Sequence, residues 1–191
     1  MVTIVEQVAQ GRRQRGITQA AAAEISGLGR SNLSALESGR RDPNASTLEK
    51  AAAGSGLRLL AVDVGGMPFV ADVAEGIRDA IALGDEGAAF ELLVALSGQL
   101  RDSEPLTQIL VSYAPPPTVT DHWDAAIAGV VEWRLGESGT AAPSWAKQPA
   151  PSASEWWAPS AAPPVSQVDH EWVPAELIDR GIWIDRETLH P

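Results

Sequence analysis

Residues 11–57, GRRQRGITQAAAAEISGLGRSNLSALESGRRDPNASTLEKAAAGSGL, decide the fold of the first third of the chain. Glycines punctuate the stretch, and glycine tolerates the left-handed backbone on which helices end. A first helix is predicted over residues 2–14, with Val5, Val8 and Ala9 on its apolar side, and Gly16 stops it. Thr18 is a side-chain cap for a short helix over about 19–25, and Gly27 supplies the turn after it. A third helix over about 30–38 carries Leu33 and Leu36 at i, i+3 on its inner face and ends at Gly39. Arg40 to Asn44 form a loop. Ser46 or Asn44 then caps a fourth helix bearing Leu48, Ala51 and Ala52, which closes at Gly54 and Gly56.

Two short helices joined by a tight turn can lay the second one in the major groove of DNA, which is ~12 Å wide and admits a single helix. Small Ala23 suits the close crossing, and Leu33 and Leu36 point inward. That leaves Arg30, Ser31, Asn32 and Ser34 outward near the helix N-terminus, the end that meets base edges.

The stretch resembles the Cro/cI (XRE) helix-turn-helix domain in Thr18-Gln19, Ala23, Gly27 and the run Leu33-Ser34-x-Leu36-Glu37-x-Gly39-Arg40-Arg41-x-Pro43. The resemblance covers about a third of the chain. It implies that Gln19 contacts a phosphate or props up the reading side chains, that Arg30, Ser31 and Asn32 reach bases, and that Ser34, Arg40 and Arg41 reach phosphates. It assigns Arg12 and Glu37 to an internal salt bridge. Three positions depart from the pattern: Gly29 replaces the usual Ser or Thr cap, Ala22 a leucine, and Ser26 an apolar residue. These imply a softer core, steadied in a dimer or on DNA. Ala35 leaves one commonly used base-contact position mute.

The overall net charge of −11 runs against DNA binding until it is divided. Residues 1–62 hold eight basic and five acidic side chains, a net of +3, whereas residues 63–191 hold six and twenty, a net of −14. Only the head can sit beside phosphates. No aromatic residue precedes Phe69, and all seven tryptophans lie between Trp123 and Trp183.

Residues 57–64, LRLLAVDV, are short, branched and glycine-bounded, and they read as a strand. A lone strand needs a partner, which a second copy would supply. A strand in this place resembles the one that holds the dimer of HipB-like antitoxins; the alternative is a short fifth helix, as in phage repressors. Two heads would then face successive major grooves ~34 Å apart.

Residues 70–112 read as helical, with 88–100 apolar nearly all round, and 121–135 as one more amphipathic helix. Residues 136–171 are rich in Pro, Ala and Ser, which predicts an extended segment without regular structure. Its embedded tryptophans suggest that it lies on a surface, its own or a partner's. The end, PAELIDRGIWIDRETLHP, predicts a short helix, a stop at Gly181, a strand over 182–184 and a last turn. The expected architecture is therefore mainly α. A DNA-binding domain with a dimerising strand covers 1–64, a helical domain 65–135, an extended segment 136–171 and a closing motif 172–191.

There is no cysteine, glycine-rich phosphate loop or HExxH, and His122, His170 and His190 are far apart, so no enzyme, metal site or cofactor is expected. No signal sequence or membrane span is read, and the cytoplasm is the expected location. The expected partners are double-stranded DNA and a second copy. An acidic body with Trp145, Trp156, Trp157 and Trp183 as anchors also suits a basic partner protein. The closing motif resembles the ends of helix-turn-helix proteins of high-GC bacteria that accompany nucleotidyltransferase-type toxins, which points to an autoregulating antitoxin. The alternative is a one-component regulator whose C-terminal part senses a ligand or oligomerises.

Overall fold

A computed structural model describes residues 3–147, 155–157 and 170–190. The chain is mainly helical and divides into two compact units, residues 1–63 and 64–191.

The first unit holds α1 (Ile4–Gln14), α2 (Gln19–Ser26), α3 (Arg30–Glu37) and α4 (Ala45–Gly54). Side-chain caps set their starts. Thr3 and Glu6 form a reciprocal capping box on α1, Thr18 caps α2, and Asn44, the first-placed of its two candidates in the chain, caps α4. Gly27 ends α2 with φ +67°, a value that costs other residues strain. Helix α3 starts at Gly29 with no side-chain cap, as the Gly29 departure implied. The core is Val8, Ala22, Ala23, Leu33, Leu36, Ala51 and Ala52.

The structure gives Ala22 a different meaning from the softer core expected of it. Ala22 is fully buried, and a methyl group placed on Gly54 would run into its backbone carbonyl. Small residues on both helices let α2 and α4 cross closely, so the missing leucine leaves no void. Ser26 works at the turn, donating to the Ala23 carbonyl at 3.1 Å and accepting from the Leu28 amide at 3.3 Å.

The strand expected over 57–64 does not form within the chain; these residues lie between α4 and α5 without regular structure. Among the described residues they pair with no strand, and a lone strand is not stable by itself. Leu60 stands 84% exposed.

The second unit contains α5 (Val70–Ala82), α6 (Glu86–Asp102), α7 (Pro105–Ser112) and α8 (Asp121–Glu137). Short pieces follow: α9 (Ser144–Lys147), β1 (Trp156–Trp157), α10 (Ala175–Ile178) and β2 (Ile182–Trp183). The strands pair in parallel, Trp156 opposite Ile182 and Trp157 opposite Trp183. Helix α8, expected to be amphipathic with Ile127, Val130 and Val131 on its apolar side, is buried on most of its sides. Eleven of its residues are buried, Trp123, Ile127, Val130, Val131 and Leu135 among them, because α6, α9 and α10 all pack on it. Helix α6, expected to be buried all round, keeps Glu91, Ala95 and Gln99 exposed.

The described residues beyond 135 join this same core. Gly129 leaves room for Leu177, so α10 seats directly on α8. Two buried arginines fasten the end of the chain. Arg134 donates from Nε to Ser97 Oγ at 2.9 Å and from Nη2 to the Leu189 carbonyl at 2.8 Å. Arg180 donates to Glu132 Oε2 and to the Ala146 carbonyl, both at 2.6 Å.

The same substitution should act with opposite sign at two helical glycines. Gly54→Ala overpacks α2 against α4 and should destabilise the head by about 2 kcal/mol. Gly136→Ala, with nothing within 4 Å of the new methyl group, should stabilise the second unit by about 0.5–1 kcal/mol. Thermal unfolding of the two full-length variants checks both.

Candidate nucleic-acid interface

Helix α3 is held at its C-terminal end and free at its N-terminal end. Its last residue, Glu37, takes two hydrogen bonds from the Arg12 fork, Nε at 2.6 Å and Nη2 at 2.8 Å, in the strong bidentate geometry. Gln19 Nε2 adds a third at 2.8 Å. Arg12 also donates from Nη1 to the Ile17 carbonyl at 2.6 Å. One carboxylate thus ties α3 to α1 and to the start of α2, and Leu33 and Leu36 anchor the same helix from below.

Burial pushes the Glu37 carboxyl up, but hydrogen bonds from Arg12 and Gln19, with the charge of Arg12, outweigh it and hold the group below its ordinary value. The bond to Glu37 in turn raises the Arg12 guanidinium. A carboxyl whose folded pKa is depressed stabilises the fold fully above its unfolded pKa. That contribution is lost as the pH falls through the folded value.

With one end clamped, the other presents Arg30, Ser31 and Asn32, all exposed, while Ser34 and Ala35 are half-buried. Asn32 Oδ1 accepts from Arg41 Nη1 at 3.3 Å, so the loop after α3 braces a side chain of the presented end. Arg40 Nε donates to Ser38 Oγ at 2.9 Å, and both lie on the surface. Asn32 and Arg41 thus lie together on the surface, and Arg30 is exposed at the first position of α3. Gln19 meets Glu37 at the far end of α3 from Arg30, Ser31 and Asn32. The Arg12–Glu37 pair has less than a tenth of either side chain exposed.

Residues 8–58 match the helix-turn-helix family model. The head is a Cro/cI-type helix-turn-helix domain. No characterised protein and no solved structure matches the chain. With this domain the protein is a DNA-binding transcription regulator. Among the described residues, no helix is long and apolar enough to cross a membrane.

Three of the tryptophans expected to anchor a partner, Trp145, Trp156 and Trp183, are partly buried against the second unit's own core. Trp145 donates from its indole nitrogen to the Ser112 carbonyl at 2.9 Å. Trp156 packs at 4.9 Å from Trp123, with His122 stacked on it at 5.0 Å. Trp145, Trp156 and Trp183 all lie against the second unit's core. The expectations for the Trp157 side chain and for residues 148–154 and 158–169 fall outside the described residues. His190 lies between two guanidinium groups, Nδ1 at 3.0 Å from Arg101 and Nε2 at 3.3 Å from Arg134, a packing role that its sequence neighbours do not announce.

Glu37→Gln removes the charge that holds Arg12 and should destabilise the head by about 2 kcal/mol at neutral pH. The wild-type head should lose its advantage over this variant as the pH is lowered below about 4.3, the ordinary glutamate value. Chemical unfolding of both proteins across pH 3–7 measures the difference.

Proposed function

We propose that the protein is a dimeric, sequence-specific repressor and the autoregulating antitoxin of a toxin–antitoxin pair. The observation that carries the DNA reading is the clamp on Glu37. It fixes α3 while leaving Arg30, Ser31 and Asn32 open at the reading end. Arginine can grip guanine and asparagine adenine, each pair contributing about 1–3 kcal/mol of discrimination. Ser34, Arg40 and Arg41 supply phosphate contacts, which position the head without reading sequence.

One head covers one half-site, so a dimer is part of the reading. Residues 58–62, without regular structure and with exposed Leu60 and Val62, supply the pairing edge. A twin segment would satisfy both backbones and bury those side chains. Repression follows from occupancy of a promoter site by such a dimer.

The second unit supports the antitoxin half of the proposal. It is a folded body with a net charge of −13 over residues 64–191, and that charge repels DNA while attracting a basic protein. A ligand-sensing role is the second reading, favoured by an open cavity of about 440 Å³ beside Val64–Met67 that is also lined by Gln99, Asp102 and Ser103.

Arg30→Ala should weaken binding to the cognate site by about ten- to a hundredfold while leaving binding to random DNA nearly unchanged. Equal loss on both would remove Arg30 from base reading. Leu60→Asp with Val62→Asp should convert the dimer to a monomer in sedimentation and lower operator affinity. The antitoxin reading predicts a neighbouring gene whose expression stops growth and whose effect co-expression of this protein relieves; neighbours without such a gene contradict it.

A further inference from the structure

Four cationic side chains of the head are engaged with the protein itself. Arg12 holds Glu37 and the Ile17 carbonyl. Arg15 donates to the Gly11 carbonyl at 3.1 Å, Arg40 to Ser38 and Arg41 to Asn32. Arg13, exposed in the last turn of α1, is different. Among the described residues its guanidinium has no hydrogen-bond or ion-pair partner. Its charge nevertheless reaches the end of α3. Burial pushes the Glu37 carboxyl up, while bonds from Arg12 and Gln19 and then the charges of Arg12 and Arg13 hold it down. The Glu37 oxygens are already taken, Oε1 by Arg12 and Oε2 by Arg12 and Gln19. Arg12 balances the charge of Glu37, so Arg13 is a surplus positive charge at this end of the helix.

The eight residues of α3 span about 12 Å. Arg30 stands free at one end of that span, and Arg13 acts at the other. The major groove is ~8.5 Å deep. With the Arg30 end at the base edges, the Glu37 end therefore rises to the height of the phosphates that border the groove. A cation at that height meets no base edge. It meets a polyanion with one charge per ~1.7 Å of duplex, and phosphate takes an arginine fork in the same bidentate way as a carboxylate. Glu37 alone would repel a phosphate there. Its pairing with Arg12 removes the repulsion and leaves Arg13 to attract.

We infer that Arg13 is a phosphate-binding residue of the head, set at the opposite end of α3 from the side chains that read bases. It fixes how far α3 enters the groove and carries no sequence information of its own. The inference rests on the placement of α3 in the major groove, and it adds a contact that the family resemblance does not assign.

The test follows binding of the full-length protein to two fluorescein-labelled duplexes by anisotropy, over roughly 0.05–0.2 M salt. One duplex is selected by the protein from a random pool, and the other is its scrambled sequence. Arg13→Ala should keep the wild-type circular dichroism and weaken binding to both duplexes by the same factor, about five- to tenfold per bound head near 0.1 M salt. The slope of log affinity against log salt should flatten by about 0.9 per bound head. Arg13→Lys, which keeps the charge, should restore the slope. Lys50→Ala, a control on an exposed cation of α4, should leave it unchanged. An unchanged slope for Arg13→Ala, with binding still weakened by Arg30→Ala, removes Arg13 from the interface while the groove placement of α3 stands. Loss on the selected duplex alone makes Arg13 a base reader and overturns the phosphate assignment. An equal flattening in Lys50→Ala reduces the effect to net charge and overturns it as well. If neither Arg13→Ala nor Arg30→Ala changes binding to the selected duplex, the groove placement itself fails.

Discussion

The carboxylate of Glu37 is the point on which the head depends. It receives three hydrogen bonds from two other helices, and it is the last residue of α3. Clamping a recognition helix at its far end has a mechanical consequence. The N-terminal turn can be polar and exposed without letting the helix pivot. Desolvating one carboxylate and one guanidinium is costly, and the bidentate geometry with a third donor offsets that cost. The same arrangement joins the start of α2 to the end of α3 through Gln19.

The second unit is fastened by the same kind of interaction used differently. Arg134 and Arg180 are buried, and each reaches across to backbone carbonyls of other segments as well as to a glutamate. Burial pushes the Arg134 guanidinium down from its ordinary value, and the hydrogen bond it donates to Glu137 opposes the shift. Two of the six basic residues of this unit are thereby withdrawn from its surface, which deepens the acidic character facing outward. The division of labour between a cationic reader and an acidic body is thus strengthened by folding.

The head was legible because its signals are local. Thr18 and Asn44 act as caps within three residues of their targets, and Gly16, Gly27 and Gly39 stop helices through their own backbone angles. The Arg12–Glu37 pair was legible only through resemblance to a family, since 25 residues separate the partners. What escaped reading was set by distant packing. Ala22 looked like a lost leucine until Gly54 was seen opposite it. Helix α8 carries acidic residues in its first turn and a charged end like an amphipathic helix, yet α6, α7, α9, α10 and β2 all pack on it. Nothing in the sequence around Trp145 and Trp156 reveals that Ser112 and Trp123 meet them across the fold. Residues 57–64 carry every local mark of a strand and lack the neighbour that would make them one.

The central claim is that a clamped α3 reads base sequence through Arg30, Ser31 and Asn32 in a two-headed complex. Selection and sequencing of random DNA fragments retained by the full-length protein tests it most directly. The account predicts an inverted repeat whose half-sites lie about one helical turn, ~34 Å, or a multiple of it apart. Fragments without a shared motif, or a motif unchanged by Arg30→Ala, would contradict it.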